Sequence, residues 1–239
     1  FETRFGIPLV EAWAMTETGA GAVIAANTDD RLIGQSSLGT PAADISCKIV
    51  DEVGQKVPPN TPGELWVRRT NGEPKYGFFS HYYKDPDAST EAWEGGWFHT
   101  GDLVRQCENG DIFFVDRKKN VIRRSSENIA AVEVESVLMH HPDVRAVGVT
   151  AVPDPIRGDE VFACVVSSSP QKETALAITA WCLQEMAYYK APGFIAFVDE
   201  LPLTATQKIQ RAELKAQAVR LLGRPDTIPT GHLKKRQVA

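Results

Sequence analysis

The sequence lacks the cysteine patterns of metal-binding and disulfide-stabilised proteins. Four of its 239 residues are cysteines, and they lie far apart at Cys47, Cys107, Cys164 and Cys182. Because these positions show no metal-ligand spacing, we expect reduced thiols in a cytoplasmic protein.

Membrane-spanning segments and an excess of positive charge are also missing. No apolar run is long enough to cross a bilayer, and no segment has the layout of a signal peptide. The 26 Lys and Arg residues are outnumbered by 31 Asp and Glu, which gives a formal net charge of -5. That balance argues against a general nucleic-acid or membrane binder, whose sequence-independent affinity needs an excess of Lys and Arg. The basic residues instead form two local groups, at 117–124 and 208–236, which suit a small anionic ligand.

The start of the sequence lacks a methionine. It begins at Phe1, and residues 3–10 resemble the middle of a passage from a helix to a strand. We therefore expect a fragment of a longer protein. The composition, with 43% hydrophobic and 24% charged residues, fits a soluble globular protein with one large domain or two smaller ones.

The pattern of apolar residues changes near residue 116. Upstream, alternation and turn signals predict strands at 45–50 and 64–68, followed by long loops over 70–111. Downstream, helical and strand patterns alternate, which is typical of a small open-sheet α/β or α+β domain. The predicted helices are 130–140, 174–187 and 211–222, and the predicted strands are 112–115, 121–123, 144–152, 161–166 and 194–198.

These patterns divide the chain into three parts. Residues 1–116 are expected to belong to one domain of strands and long loops, and residues 117–222 to a small α+β domain. Residues 223–239, which are rich in Pro, Gly and Lys, are expected to be a loose tail.

Two segments of the first part combine an aromatic ring with a polar side chain. Trp13 to Glu17 could stack a base, bond a phosphate and hold Mg²⁺ through a hard oxygen ligand. It could equally be a buried tryptophan followed by a helix cap. In Gly96 to Asp102, the aspartate could offer both oxygens to a vicinal diol such as a ribose. The alternative is a turn aspartate beside a core tryptophan.

Two further segments are basic. Asp116 to Asn128 packs charges between two short strands, which usually indicates a solvated hairpin. Thr204 to Arg211 is a polar loop with one lysine, Lys208, just before a predicted helix. Such a lysine is normally only surface charge, so each of the four segments has an ordinary structural explanation when taken singly.

In sequence order, however, the four segments resemble the signature segments of the adenylate-forming superfamily. This superfamily comprises acyl-CoA synthetases, luciferases and peptide-synthetase adenylation domains. Trp13 to Glu17 is similar to its Tyr-Gly-x-Thr-Glu segment, and Gly96 to Asp102 is similar to Gly-Trp-x-x-Thr-Gly-Asp. Asp116 to Asn128 resembles Asp-Arg-Lys-Lys-x-x-Ile-x-x-x-Gly-Glu-Asn, and Pro202 to Arg211 resembles Pro-x-Thr-x-x-Gly-Lys-Ile-x-Arg. The run from Arg123 to Glu135 is also similar to carnitine- and crotonobetaine-type CoA ligases.

The resemblance implies both a fold and an activity. The fold would be the C-terminal remnant of a large α/β domain followed by a small mobile α+β domain. The activity would join a carboxylic acid of small or medium size to ATP with release of pyrophosphate, and then transfer the acyl group to CoA. ATP, Mg²⁺ and CoA are then the expected ligands, and the N-terminal part of the same enzyme is the expected partner. The resemblance also allows a homo-oligomer.

Roles for individual residues follow from the same resemblance. Trp13 would stack on adenine, Thr16 would bond the α-phosphate and Glu17 would ligate Mg²⁺. Asp102, helped by Arg117, would bind the ribose hydroxyls.

In the second part of the chain, the resemblance assigns Lys208 to the reaction centre, during adenylation only. Lys119 would be the hinge of the small domain. The tunnel for the thiol of CoA would be lined by Arg124, Ser125, Ser126 and Glu127.

The sequence departs from the family pattern where flexibility matters. Ser125 and Ser126 occupy positions where a glycine pair is common, and Gln207 and Ala14 each replace a glycine. Glycine allows close approach and positive φ, both of which cost more with serine, so the substitutions at 125 and 126 bear on the shape of the thiol tunnel. Three alternatives stay open: an adenylation domain that loads a carrier-protein phosphopantetheine, a luciferase-like oxidative second step, and a non-catalytic truncation that binds nucleotide or nothing.

Overall fold

The computed structural model describes residues 1–19, 24–26, 32 and 35–234. The chain divides into two compact units, Phe1–Lys118 and Lys119–Ala239. The division lies close to residue 116, where the apolar pattern changes. Each unit has a hydrophobic core of its own.

The described part of the first unit is built around one antiparallel sheet. Its strands are β1 (Glu11–Trp13), β2 (Ile24–Ala26), β3 (Ser37–Pro41), β4 (Ile45–Val50), β5 (Gly63–Arg69), β6 (Phe98–Gln106) and β7 (Ile112–Arg117). They lie in the order β1-β2-β3-β7-β6-β5-β4. Helices α1 (Glu2–Phe5) and α2 (Pro86–Glu91) and the 3₁₀ turns Thr16–Thr18 and Glu94–Gly96 complete the unit. The strands predicted at 45–50 and 64–68 are confirmed as β4 and β5.

Strand β6 corrects the prediction of long loops over 70–111. Residues 98–106 pair with both β5 and β7, so β6 is a central strand. Its buried positions alternate as Phe98, Thr100, Asp102 and Val104. Two of these four side chains are polar, so the apolar alternation that identifies a half-buried strand is missing from the sequence. The loop prediction was wrong here for that reason.

The described part of the second unit contains six strands and three α-helices. The strands are β8 (Ile122–Arg124), β9 (Glu127–Ile129), β10 (Val144–Asp154), β11 (Gly158–Ser167), β12 (Phe194–Phe197) and β13 (Thr227–Pro229). The helices are α3 (Ala131–Leu138), α4 (Lys172–Glu185) and α5 (Arg211–Leu221), and 3₁₀ turns span Lys118–Asn120 and Gly231–Leu233. Strand β11 pairs antiparallel with β10 and parallel with β12, and β8 and β9 form a hairpin.

Strand β11 is buried on both faces, which explains its continuous apolar run. Val161, Ala163 and Val165 pack in one core cluster with residues of α3 and α4. Phe162 and Cys164 point the other way and pack with Leu214 and Ala218 of α5. Successive side chains of a strand face opposite sides, so a strand covered on both sides needs apolar residues throughout. The helices and strands predicted after residue 130 are confirmed with small shifts at their ends.

The C-terminal residues differ from the expected loose tail. Thr227 to Pro229 form β13, which pairs with β12. The backbone N–H groups of Thr230 and Gly231 donate to the carbonyl of Gly193 at 2.9 and 3.0 Å. Ile228 packs against the core, so the segment gains burial that its Pro- and Gly-rich composition does not reveal. Residues 235–239 of the expected tail lie outside the described residues.

Within the part of the chain that the structure describes, no helix combines the length and the apolar character needed to cross a membrane.

Candidate active site

A buried hydrogen bond joins the first two signature segments. The indole Nε1 of Trp13 donates to Oδ2 of Asp102 at 2.8 Å, across 89 residues of sequence. Trp13 is at the end of β1 and is 7% exposed, and Asp102 is 1% exposed on the inward face of β6. The indole ring packs in the core of the first unit. The first alternative of a buried tryptophan followed by a cap-like turn holds locally, because Trp13 is buried and a 3₁₀ turn follows it. The alternative of a turn aspartate is wrong, because Asp102 lies within strand β6.

Arg117 provides the charge beside Asp102. The two residues are directly opposite each other on β7 and β6, and Nε of Arg117 lies 2.6 Å from Oδ1 of Asp102. Burial raises the pKa of Asp102 above its usual value, while the Trp13 hydrogen bond and the Arg117 charge oppose that rise. The nearby carboxylates of Asp116 and Glu17 add to the rise.

One oxygen of Asp102 keeps its capacity to accept a hydrogen bond. Oδ1 is buried, and its contact with Arg117 is an ion pair without hydrogen-bond geometry; it accepts no hydrogen bond from the described residues. A buried carboxylate oxygen without a hydrogen-bond donor is costly, because it has lost its water and gained too little in exchange. A hydroxyl group donated by a ligand would remove that cost. The residues present therefore fit a sugar diol.

Glu17 lies in the 3₁₀ turn after Trp13, with Thr16 exposed beside it. The hydroxyl of Tyr82 donates to Oε1 of Glu17 at 3.1 Å, and the amide of Phe79 donates to the Glu17 carbonyl at 2.8 Å. Burial, followed by the Glu17 carboxylate, raises the pKa of Tyr82. Tyr82 was missed in the sequence; its only signal was a loop region rich in aromatics.

The glycine after this turn is required by close packing. Gly19 has φ +79°, and a Cβ there would lie 1.9 Å from the carbonyl oxygen of Gly77. This approach brings the segment that carries Tyr82 alongside the turn that carries Thr16 and Glu17.

The donor set around Glu17 fits a magnesium ion shared with phosphates. The described residues contain no group of three or more His, Cys, Asp or Glu side chains that could cage a metal. Mg²⁺ commonly takes one or two protein carboxylates and completes its shell with water and substrate phosphates. A single partly buried carboxylate is compatible with that mode.

In the second unit, Lys119 is exposed in the 3₁₀ turn Lys118–Asn120, at the division between the units. The β8–β9 hairpin follows it, with Arg124 opposite Glu127 and a two-residue turn between them. Ser125, Ser126 and Glu127 are exposed. Ser125 has φ +58°, in the left-handed region that favours glycine.

The structure gives Arg124 a different contact from the one that the resemblance implies. Its side chain is 9% exposed, and its Nε lies 3.0 and 2.9 Å from the two oxygens of Glu160. A buried guanidinium held in this way does not present its charge to a tunnel. Arg124 instead connects the hairpin to Glu160, which lies in none of the four signature segments.

Lys208 is exposed on a tight, hydrogen-bonded loop. The amide of Thr204 donates to the Lys208 carbonyl at 2.8 Å, and the amide of Lys208 donates to Oγ1 of Thr204 at 3.1 Å. Gln207, with φ +62°, completes the turn in the conformation that a glycine would adopt more easily. Helix α5 begins three residues later, at Arg211.

Comparisons with known proteins show which family this chain resembles. The family model described as AMP-binding enzyme matches residues 1–77, and the one described as AMP-binding enzyme C-terminal domain matches residues 133–208. A crotonobetaine/carnitine–CoA ligase from Proteus mirabilis is 36% identical over 90% of this chain and 41% of its own length. A 2-succinylbenzoate–CoA ligase from Geobacillus kaustophilus is 35% identical over 88% of this chain and 41% of its own length.

A solved structure shows the same fold. The o-succinylbenzoate CoA synthetase of Bacillus subtilis, in complex with an acyl-adenylate intermediate, superposes with a TM-score of 0.77. The two proteins are 29% identical over 90% of this chain and 42% of that one. The mixed α/β fold, with a remnant of a large domain before a small C-terminal domain, is thereby confirmed.

The chain thus belongs to the AMP-binding enzyme family and corresponds to its C-terminal portion. It spans about 41% of the length of the curated relatives it matches. Trp13, Thr16, Glu17 and Lys208 lie inside the ranges of the two family models, whereas Asp102, Arg117, Lys119 and the β8–β9 hairpin lie between those ranges.

Proposed function

We propose that this chain is the C-terminal part of an ATP-dependent acid–thiol ligase that forms an acyl-adenylate and transfers the acyl group to CoA. The observation that carries the proposal is the buried carboxylate of Asp102, held by Trp13 at Oδ2 and ion-paired with Arg117 at Oδ1, which accepts no hydrogen bond from the described residues. In a family whose relatives include CoA ligases, a buried carboxylate poised for a diol suits the ribose of ATP.

At the nucleotide, Asp102 would accept hydrogen bonds from the ribose hydroxyls, and the positive charge of Arg117 would keep the carboxylate ionised despite its burial. The resemblance assigns Trp13 to the adenine ring. Its 7% exposure favours a role in orienting Asp102 through the indole N–H, with any stacking limited to the exposed edge. Thr16, exposed on the adjacent turn, would bond the α-phosphate.

The chemistry of adenylation calls for cations more than for a base. The attacking carboxylate is already ionised near neutral pH, since its usual pKa is about 4. The barrier comes from bringing two anions together and from charge that develops on the phosphates, and fixed cations lower it. Glu17 would hold Mg²⁺, which supplies charge neutralisation at the phosphates, and Lys208 would approach the same charge from its turn.

Transfer to the thiol would use a different part of the second unit. Lys119 would be the pivot, because the division between the units falls beside it. The exposed turn of Ser125 and Ser126 would then line the path of the thiol. We assign the acceptor to CoA because the curated relatives named above are CoA ligases. We assign the substrate to a small or medium carboxylic acid because the same relatives are named for crotonobetaine, carnitine and 2-succinylbenzoate.

The proposal also includes an N-terminal portion of the protein, which would pack against the start of this chain. Five large apolar side chains near the start of the chain are between 52% and 64% exposed: Phe1, Phe5, Ile7, Leu9 and Val10. Such a concentration of exposed apolar surface indicates a contact area. An N-terminal portion like that of the relatives would cover it and supply the remaining contacts to ATP and the acid.

The test separates the two half-reactions in the protein at its natural full length. Lys208→Ala should reduce ATP–pyrophosphate exchange by about 100-fold, corresponding to roughly 3 kcal/mol of lost transition-state stabilisation. Thioester formation from a supplied acyl-adenylate should be spared. Lys215→Ala, which removes another exposed lysine of the same unit, is the matched control. Equal loss of both half-reactions would refute the role of Lys208.

The pivot is tested in the same assays. Lys119→Pro should retain pyrophosphate exchange and abolish thioester formation, because proline fixes φ and a pivot must change it. Retained thioester formation would remove Lys119 from this role.

Replacing CoA by a phosphopantetheinylated carrier protein distinguishes the two acceptors. Thermal-shift titration with an acyl-adenylate analogue separates a nucleotide binder from an inert chain.

A further inference from the structure

The second unit contains a buried charge network that the proposed reaction does not use. Glu160, 4% exposed at the start of β11, accepts from Arg124 Nε with both oxygens. The ammonium group of Lys234 donates to the same carboxylate at 2.7 Å, and its side chain is 1% exposed. The amide of Val161 adds a third donor at 2.8 Å.

The network links the end of the described chain to the β8–β9 hairpin. Lys234 follows the 3₁₀ turn Gly231–Leu233, which is tied to the Gly193 carbonyl through two backbone amides. Arg124, the other cation that contacts Glu160, is the residue directly before the turn of Ser125 and Ser126. The carboxylate is therefore the point at which the C-terminal segment and the hairpin meet.

The space for this carboxylate is provided by a glycine. A Cβ built at Gly193 would lie 2.5 Å from both Cγ and Cδ of Glu160. The side chain of Glu160 is fixed by its three donors and has little room to withdraw. Its position is thus set from three sides, by Gly193, Lys234 and Arg124.

We propose that Glu160 is a positioning residue for thioester formation, which fixes Arg124 and thereby the Ser125–Ser126 turn, with Lys234 of the C-terminal segment holding Glu160 in place. This proposal rests on the proposed function, in which that turn lines the thiol path. The step that it affects is the attack of the CoA sulfur on the acyl carbon of the acyl-adenylate, which forms the thioester bond, breaks the bond between the acyl carbon and the phosphate oxygen, and releases AMP and the thiol proton. Adenylation does not use the turn and is unaffected.

Burial explains why such a network can act beyond its immediate contacts. Removing one partner of a buried charge pair leaves the others uncompensated, and the hairpin moves to restore solvation. Burial lowers the pKa of Lys234 to about 8, against the opposing pull of Glu160, while Arg124 and Arg157 lower it further. Lys234 and Arg124 lie on different segments of the chain, so the C-terminal contact can be removed separately from the Arg124–Glu160 contact.

The experiment uses Glu160→Gln and Lys234→Met in the protein at its natural full length. Each should raise the KM for CoA, or lower the rate of thioester formation from a supplied acyl-adenylate, by roughly 2- to 30-fold. ATP–pyrophosphate exchange should be unchanged. Lys234→Arg, which keeps the charge, should restore thioester formation. Glu213→Gln removes a carboxylate from an exposed ion pair with Arg220 and is the matched control.

A second readout follows the turn itself. The amide of Ser125 donates to the Arg157 carbonyl at 2.7 Å, and its hydrogen exchange should be faster in both network variants but not in Glu213→Gln. If Glu160→Gln fails to fold, Lys234→Met carries the test, because it leaves the Arg124–Glu160 pair intact.

The outcomes separate the two proposals. Wild-type protein that forms thioester, with variants that form it equally well, overturns the positioning role alone. Equal loss of both half-reactions in the variants also overturns it, because the network would then support only the fold. Wild-type protein that forms neither adenylate nor thioester overturns the proposed function, and the positioning role with it.

Discussion

Glu64 and Lys118 form an ion pair with 2.8 Å between Oε2 and Nζ, at the last residue of the first unit. The other oxygen of Glu64 accepts from the amide of Gly101 at 3.2 Å. The buried carboxylate of Glu64 on β5 thus contacts both Gly101, which precedes Asp102, and Lys118, which follows Arg117. Asp102 and Arg117, which we propose to bind ribose, each have a sequence neighbour held by Glu64.

We expect Glu64→Gln to lower the free energy of unfolding of the first unit by about 1 kcal/mol, because Lys118 is half exposed and can be hydrated instead. Glu64→Ala should cost about 1–3 kcal/mol more, because the Gly101 amide then has no acceptor. Urea denaturation followed by tryptophan fluorescence checks this, since Trp181 is the single tryptophan of the five outside the first unit. Glu73→Gln, at an exposed position, is the control. Equal stability of all three variants would show that the Glu64 contacts to Gly101 and Lys118 do not stabilise the unit.

Asp102→Asn should weaken nucleotide binding by about 10- to 100-fold. The substitution keeps the shape but removes the charge, and hydrogen bonds to charged groups contribute about 1.5–3 kcal/mol. Isothermal titration with AMP or a stable acyl-adenylate analogue measures the effect in the full-length protein. Asp87→Asn, at an exposed position of α2, should bind as the wild type does. Unchanged AMP affinity in Asp102→Asn would exclude the ribose assignment.

Ser125→Gly should leave the stability of the second unit unchanged or raise it by up to about 1 kcal/mol. The left-handed backbone of Ser125 costs a non-glycine residue about 1–2 kcal/mol, which glycine avoids at some loss of chain entropy. Ser126 is not among the residues with positive φ, so Ser126→Gly should lower stability by about 0.5–1 kcal/mol. Denaturant unfolding of the two variants compares them directly; the reverse order would show that the turn differs in solution.

The pH dependence of stability should reveal Lys234. Its pKa is lowered from 10.5 to about 8 in the folded protein, so between these values the unfolded chain binds one more proton than the folded chain. Stability linked to this group therefore rises with pH across that window, with a slope of up to about 1.4 kcal/mol per pH unit. The difference in unfolding free energy between wild type and Lys234→Met isolates the effect. A difference that is flat from pH 8 to 10 would mean that the lysine is hydrated.

Elements with a regular apolar period could be predicted from the sequence. Strands β4, β5, β10 and β11 and the three helices of the second unit could be predicted, because a regular apolar period reflects burial directly. Strand β6 could not, because its buried face carries Thr100 and Asp102. Polar residues on its buried face thus prevent β6, which carries Asp102, from being recognised as a strand in the sequence. The C-terminal segment was missed for a related reason, since its order depends on contacts with Gly193 and Glu160 from distant parts of the chain.

The sequence by itself determined the family, the two-part organisation and the candidate residues, because motif order, spacing and apolar period are local properties that survive in a linear chain. Tertiary structure alone decided which of those residues meet: Trp13 with Asp102 across 89 positions, and Arg124 with Glu160 instead of with an open surface. Whether a charge is buried, and what it then pairs with, depends on chain segments brought together only by folding. For that reason the contacts of Glu64 and Tyr82 in the first unit, and those of Glu160 and Lys234 in the second, became evident only in three dimensions.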